Sequence, residues 1–74
     1  SDRRWQMTMI EKVARAFARH DSYESAWKRY RGHAKAAIAA MREPTEEMLN
    51  ASPDYPIYMN ADEWAKMIDA ALKE

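Results

Sequence analysis

Residues 23–48 read YESAWKRYRGHAKAAIAAMREPTEEM, and their spacing decides the fold class. Apolar side chains recur at alternating steps of four and three residues, the spacing of one helical stripe. They are Tyr23, Trp27, Tyr30, Ala34, Ala37 and Met41. Asp21 is predicted to cap the start of this helix, and Pro44 disfavours helical geometry at Glu43. The pattern predicts one helix over about residues 22 to 42. It runs through Gly32, which indicates either close approach of another backbone or a slight bend.

Three other helices are predicted from residues that can cap helix starts, Thr8, Thr45 and Asn60. They give a first helix over about residues 8 to 20, a short helix over about 45 to 51 and a last helix over about 61 to 73. An earlier start of the first helix, near Ser1, is the alternative. The sequence thus predicts one all-α domain over residues 1–74, a small bundle of three main helices and one short helix.

Each main helix places an aromatic residue at the centre of its apolar face. These residues, Phe17, Trp27 and Trp64, are predicted to meet in one core. Tyr55 and Tyr58 lie outside the helical stripes, in an apolar connector that Pro56 interrupts. The connector is predicted to be extended, with both tyrosines covering the core. The alternative is that they anchor a partner, because tyrosine is enriched at interfaces.

Charge is distributed unevenly, although the formal net charge is zero. Residues 1–42 contain ten Lys or Arg and four Asp or Glu, and residues 43–74 contain two and eight, so the halves carry +6 and −6. Lys28, Arg31, Lys35 and Arg42 fall within about 60° on the predicted second helix. Lys12, Arg15 and Arg19 form a similar stripe on the first helix. These faces are either free to bind a partner or phosphates, or neutralised by the acidic half.

Catalytic and metal-binding patterns are not found in the sequence. The chain has no Cys and one Gly, and its histidines, His20 and His33, have no metal-binding spacing. Ser22 and Ser25 near His20 are interpreted as capping or surface residues. We therefore expect no enzyme activity, cofactor, metal or small-molecule substrate. No apolar run approaches the roughly 20 residues that cross a bilayer, so we expect a cytoplasmic protein without a membrane partner.

Three stretches resemble a family of small uncharacterised proteins of tailed phages, prophages and bacterial genomes, notably of alphaproteobacteria. They are AAIAAMREPTEEMLNA at residues 36–51, MIDAALKE at 67–74 and MIEKVARAF at 9–17. The resemblance implies a phage or mobile-element setting, where small proteins often bind a host or defence component. It implies no activity and no site residues.

The sequence therefore predicts a protein-protein interaction module, either a homo-oligomer or a modulator of a host or defence protein. The predicted partner-binding residues are Lys28, Arg31, Lys35, Arg42, Tyr55 and Tyr58. The alternative is a nucleic-acid-binding accessory protein that uses the basic faces of the first two helices.

Overall fold

The computed structural model describes residues 7–74, and within this range the chain forms helices and no strand. The elements are α1 (Met9–His20), a 3₁₀ segment (Glu24–Tyr30), α2 (Arg31–Ala40), α3 (Glu46–Asn50) and α4 (Ala61–Lys73). The predicted small helical bundle is confirmed. The alternative start of the first helix, near Ser1, lies outside the described residues.

Three of the four predicted helix caps form. The side-chain oxygens of Thr8, Thr45 and Asn60 each accept a hydrogen bond from the backbone N–H three residues further on, at 3.0, 3.1 and 3.0 Å. Each bond satisfies an amide that has no partner within its own helix. The starts of α1, α3 and α4 are therefore fixed by single side chains that the sequence identifies.

The prediction of one continuous helix over residues 22 to 42 is wrong. Backbone angles leave the α-helical region at Ala26 (φ −99°, ψ 25°) and at Tyr30 (φ −98°, ψ 6°), and the chain between them is a 3₁₀ helix. Tyr23 precedes the 3₁₀ segment with non-helical backbone angles (φ −132°, ψ 48°), and the kink at Ala26 separates it from Trp27. Tyr23 therefore leaves the inner face and is 66% exposed.

Gly32 lies beyond the break, inside α2. A Cβ added there would have no other element of the described chain within 4 Å. Neither a bend at this glycine nor close approach of another backbone of the same molecule explains its presence.

The end of α1 also differs from the prediction, because Asp21 closes α1 instead of opening the next helix. Ser22 has a left-handed backbone, with φ 65°. Its N–H donates to the carbonyl of Arg19 at 3.0 Å, and the N–H of Tyr23 donates to the carbonyl of Ala18 at 2.8 Å. This pair of bonds is the Schellman motif, in which the left-handed position is usually glycine.

The core consists of small and aliphatic side chains, Ile10, Ala14, Ala34, Ile38 and Ile68. Trp27 and Trp64 pack at its edge as predicted, whereas Phe17 is not in the core and is 38% exposed. The reason is that Ala18 of α1 is fully buried, so the buried arc of α1 is rotated away from Phe17. The ring of Phe17 instead lies 6.4 Å from that of His33 at the surface.

Among the polar contacts that attach α4 to the rest of the bundle, one lies near each end of the helix. The indole Nε1–H of Trp64 donates to the carbonyl of Met41, just after α2, at 2.6 Å. At the other end of α4, a carboxylate oxygen of Glu74 accepts the N–H of Met9 at 2.6 Å, where negative charge is favoured at the start of α1. α3 lies outside the core cluster, although its Leu49 is buried.

Candidate interaction surfaces

Three basic side chains form one exposed surface, which we call the basic ridge: Lys28, Arg31 and Lys35. The carbonyl of Lys28, in the 3₁₀ segment, accepts the backbone N–H of Arg31, the first residue of α2, and Arg31 and Lys35 are neighbours on α2. Among residues 7–74, no ion pair includes any of the three. Lys28 and Arg31 stay close although the continuous helix is lost, because this backbone hydrogen bond links them across the junction.

Arg42 is separate from the basic ridge. Its guanidinium binds the carboxylate of Asp69 on α4 through two bonds of 2.8 and 3.0 Å. These hydrogen bonds lower the pKa of Asp69 and raise that of Arg42. Arg42, predicted to bind a partner, therefore connects the end of α2 to α4.

The predicted basic stripe on α1 is mostly occupied by contacts within the first half of the chain. Arg15 pairs with Glu11 at 2.8 Å and lies over the ring of Trp27, 4.8 Å from its centroid. Arg19 pairs with Glu24 at 3.4 Å. Lys12 is exposed. The described part of α1 therefore contributes less free positive charge than its sequence indicates.

Residues 43–60, which we call the arm, connect α2 to α4 and include α3. The predicted extended connector is instead a series of turns: the carbonyl of Asp54 accepts the N–H groups of Tyr58 and Met59 at 2.8 and 3.1 Å. Tyr55 is half-buried. Tyr58 does not cover the core, because it is 79% exposed, and Ile57 beside it is 75% exposed.

The arm is also acidic. Four carboxylates lie along it and it contains no Lys or Arg: Glu43, Glu46, Glu47 and Asp54. All four are exposed, and no ion pair within residues 7–74 includes them. Two of them, Glu46 and Glu47, occupy the first turn of α3, where the helix dipole favours negative charge. The arm thus presents two apolar side chains at its turn and, along its length, exposed negative charge that no basic side chain of residues 7–74 neutralises.

A shallow groove of about 360 Å³ lies on α1 and was not predicted from the sequence. It is lined by Val13, Ala16, Phe17 and His20. Close by, the hydroxyl of Tyr30 donates to the carboxylate of Asp21 at 2.9 Å, a bond that raises the pKa of Tyr30. Val13, Phe17 and His20 are spaced four and three residues apart, which places them on one face of α1. This spacing alone does not distinguish an exposed groove from a face buried in the core.

No protein-family model, characterised protein or solved structure matches this chain. Within the described residues, no helix is long and apolar enough to span a membrane, and no three or more His, Asp or Glu side chains are grouped as metal ligands. The surfaces described above therefore carry the functional argument by themselves.

Proposed function

We propose that this chain is a protein-interaction module that contacts its partner through the arm. The observation that carries the proposal is the adjacent pair Ile57 and Tyr58, which are 75% and 79% exposed on a turn closed by backbone hydrogen bonds. Full burial of one large apolar side chain contributes about 1.5 to 3 kcal/mol. Because both side chains are mostly exposed in this fold, most of that stabilisation is still to be gained. A protein partner could supply that burial.

The turn does not need these two side chains for its own formation. Its bonds are made by backbone groups and by Ser52, whose hydroxyl oxygen accepts the N–H of Asp54 at 3.2 Å. Exposed apolar residues on a fixed backbone bind with little loss of conformational freedom. The pair is therefore suited to anchoring a partner, in the way that aromatic and aliphatic residues anchor the centres of interfaces.

A phage or prophage setting, with a host or defence protein as partner, remains part of the proposal on the basis of the sequence resemblance. Catalysis is not part of it, since among residues 7–74 the serine and threonine hydroxyls with a hydrogen-bond partner contact backbone amides and not a histidine. Ser22, the serine nearest His20, serves the turn that ends α1.

A nucleic-acid-binding accessory function is the second candidate. It is supported by the exposed basic ridge, whose Lys28, Arg31 and Lys35 have no carboxylate partner within residues 7–74. Arginine and lysine side chains of this kind neutralise phosphates. We favour protein binding because the unpaired acids of the arm would repel a polyanion, and because the net charge of the chain is zero.

The test is affinity capture from bacterial lysate, including lysate of phage-infected cells, with and without nuclease. The bait is the wild type or the double variant Ile57→Ser/Tyr58→Ser, and the matched control is Met67→Ser, which changes a half-exposed apolar residue of α4. We expect a nuclease-resistant partner that the double variant loses and the control retains. A partner that binds all three baits equally would contradict the role of the arm, and one lost with nuclease would support the second candidate.

A further inference from the structure

We propose that a partner of the arm is a second copy of this chain: the arm of each copy docks on the basic ridge of the other, which gives a two-fold dimer. This inference rests on the proposed function, since it names a partner for the same surface. It is carried by the complementary charge of two exposed surfaces on one chain, neither of which forms an ion pair within residues 7–74.

The charges of the two surfaces are opposite in sign and similar in number, four acidic side chains against three basic ones. The arm presents four exposed carboxylates, and the ridge presents Lys28 and Arg31 from the 3₁₀ segment and the start of α2, and Lys35 one turn further on. Both sets lack ion pairs within residues 7–74. Opposite patches of this kind steer association and fix its orientation.

The two surfaces do not neutralise each other within one molecule. Among the described residues, a single ion pair joins the basic half to the acidic half, between Arg42 and Asp69, and it involves neither the ridge nor the arm. A second molecule can place an arm against the ridge, whereas the fold of one molecule leaves both exposed.

The surface next to the ridge can accept the apolar turn of the arm. The adjacent outer face of α2 is exposed and has only small residues, Gly32, Ala36 and Ala39. A partner segment can therefore approach the α2 backbone closely, and Tyr58 can lie over a cation of the ridge. Arg15 already lies over Trp27 in this protein with comparable chemistry.

Interface size favours a reciprocal contact. A stable protein interface takes about 800 Å² from each partner, roughly one seventh of the 5880 Å² surface of this chain. One arm on one ridge uses one of the two patches on each copy. The two-fold arrangement uses both patches of both copies and closes without leaving a free arm.

The experiment is sedimentation equilibrium of the purified protein over a wide concentration range, at about 0.05 M and about 0.5 M salt, a span over which the screening length shortens about threefold. One variant reverses the ridge (Lys28→Glu, Arg31→Glu, Lys35→Glu) and another reverses the arm (Glu43→Lys, Glu46→Lys, Glu47→Lys). We expect a dimer for the wild type that weakens with salt. We expect self-association to weaken about tenfold or more in each variant, because attraction becomes repulsion.

Two rescue measurements separate charge complementarity from misfolding. An equimolar mixture of the two variants, and a single chain with all six reversals, each restore opposite charges at both contacts and should regain the dimer. Failure of both rescues, with helical circular dichroism unchanged, overturns the proposal. A wild type that is monomeric throughout also overturns it, and an arm-dependent partner in the lysate experiment would then leave the proposed function standing. Binding of a nucleic-acid oligomer by the monomer, lost on ridge reversal, would assign the ridge to that ligand instead.

Discussion

Ser22 occupies a backbone conformation that glycine adopts at far lower cost, and Ser22→Gly should stabilise the protein. At φ 65°, Ser22 holds the left-handed position of the turn that ends α1. This conformation costs an L-residue about 1 to 2 kcal/mol, and glycine avoids that cost. The greater freedom of glycine in the unfolded chain offsets about 0.4 to 1 kcal/mol of the gain. We therefore expect a net gain of about 0.5 to 1 kcal/mol in the free energy of unfolding.

Thermal unfolding followed by circular dichroism measures this gain. A chain of 74 residues has an unfolding entropy of roughly 155 cal/mol/K, so the gain corresponds to a rise in Tm of about 3 to 6 °C. Ser22→Ala is the matched control, since alanine meets the same backbone strain as serine and should not raise Tm. An unchanged or lower Tm for Ser22→Gly would refute the left-handed turn at the end of α1.

Three further substitutions test other parts of the fold. Gly32→Ala should raise the free energy of unfolding by a few tenths to about 1 kcal/mol, because the site is helical and has room for a methyl group; a lower stability in denaturant titration would contradict this. Trp27→Ala should lower the free energy of unfolding by about 2 to 3 kcal/mol, less than for a fully buried Trp. The cooperative thermal transition should be lost or its Tm much lower. An unchanged Tm would show that Trp27 does not support the core. Asp69→Asn should lower Tm at about pH 7 but not near pH 2, because the pKa of Asp69 is held below its ordinary 3.8, and the stabilisation is lost as pH falls through that lowered value. An equal effect at both pH values would show that the bond to Arg42 does not depend on ionisation.

Three of the four helix starts were predictable from local chemistry, and the exception is the start assigned to Asp21. Thr8, Thr45 and Asn60 each cap a helix through one side-chain oxygen, and such signals lie within four residues of sequence. The last helix, predicted over about residues 61 to 73, is α4 (Ala61–Lys73).

The parts of the fold that depend on tertiary packing were not predictable from the sequence. The stripe from Tyr23 to Met41 fits one α-helix, but its first seven residues after Tyr23 adopt 3₁₀ geometry, packed against an α1 whose Ala18 is completely buried. A preference between α and 3₁₀ geometry is not readable from four-residue and three-residue spacing. The prediction that Phe17 lies in the core was wrong for the same reason, because the elements packed against α1 decide which of its residues are buried.

The candidate surfaces were likewise predictable from the sequence only in part. The exposure of Lys28, Arg31 and Lys35 follows from their position opposite the apolar stripe and was predictable. The pairing of Arg42 with Asp69 joins residues 27 positions apart, and the spacing of residues along one helix predicts no contact over that separation. Exposure of Ile57 beside Tyr58 depends on the turn that the connector adopts, which residue type alone does not specify.

Site-specific photocrosslinking in cells tests the central claim, partner binding through the arm, most directly. A photoreactive phenylalanine analogue replaces Tyr58 in one variant and Tyr23 in the other, two tyrosines that are 79% and 66% exposed, the second lying just before the 3₁₀ segment. We predict discrete crosslinked protein adducts from position 58 and none, or far weaker ones, from position 23. No adduct at position 58, or the same adducts with equal yield at both positions, would contradict a role of the arm in binding a partner.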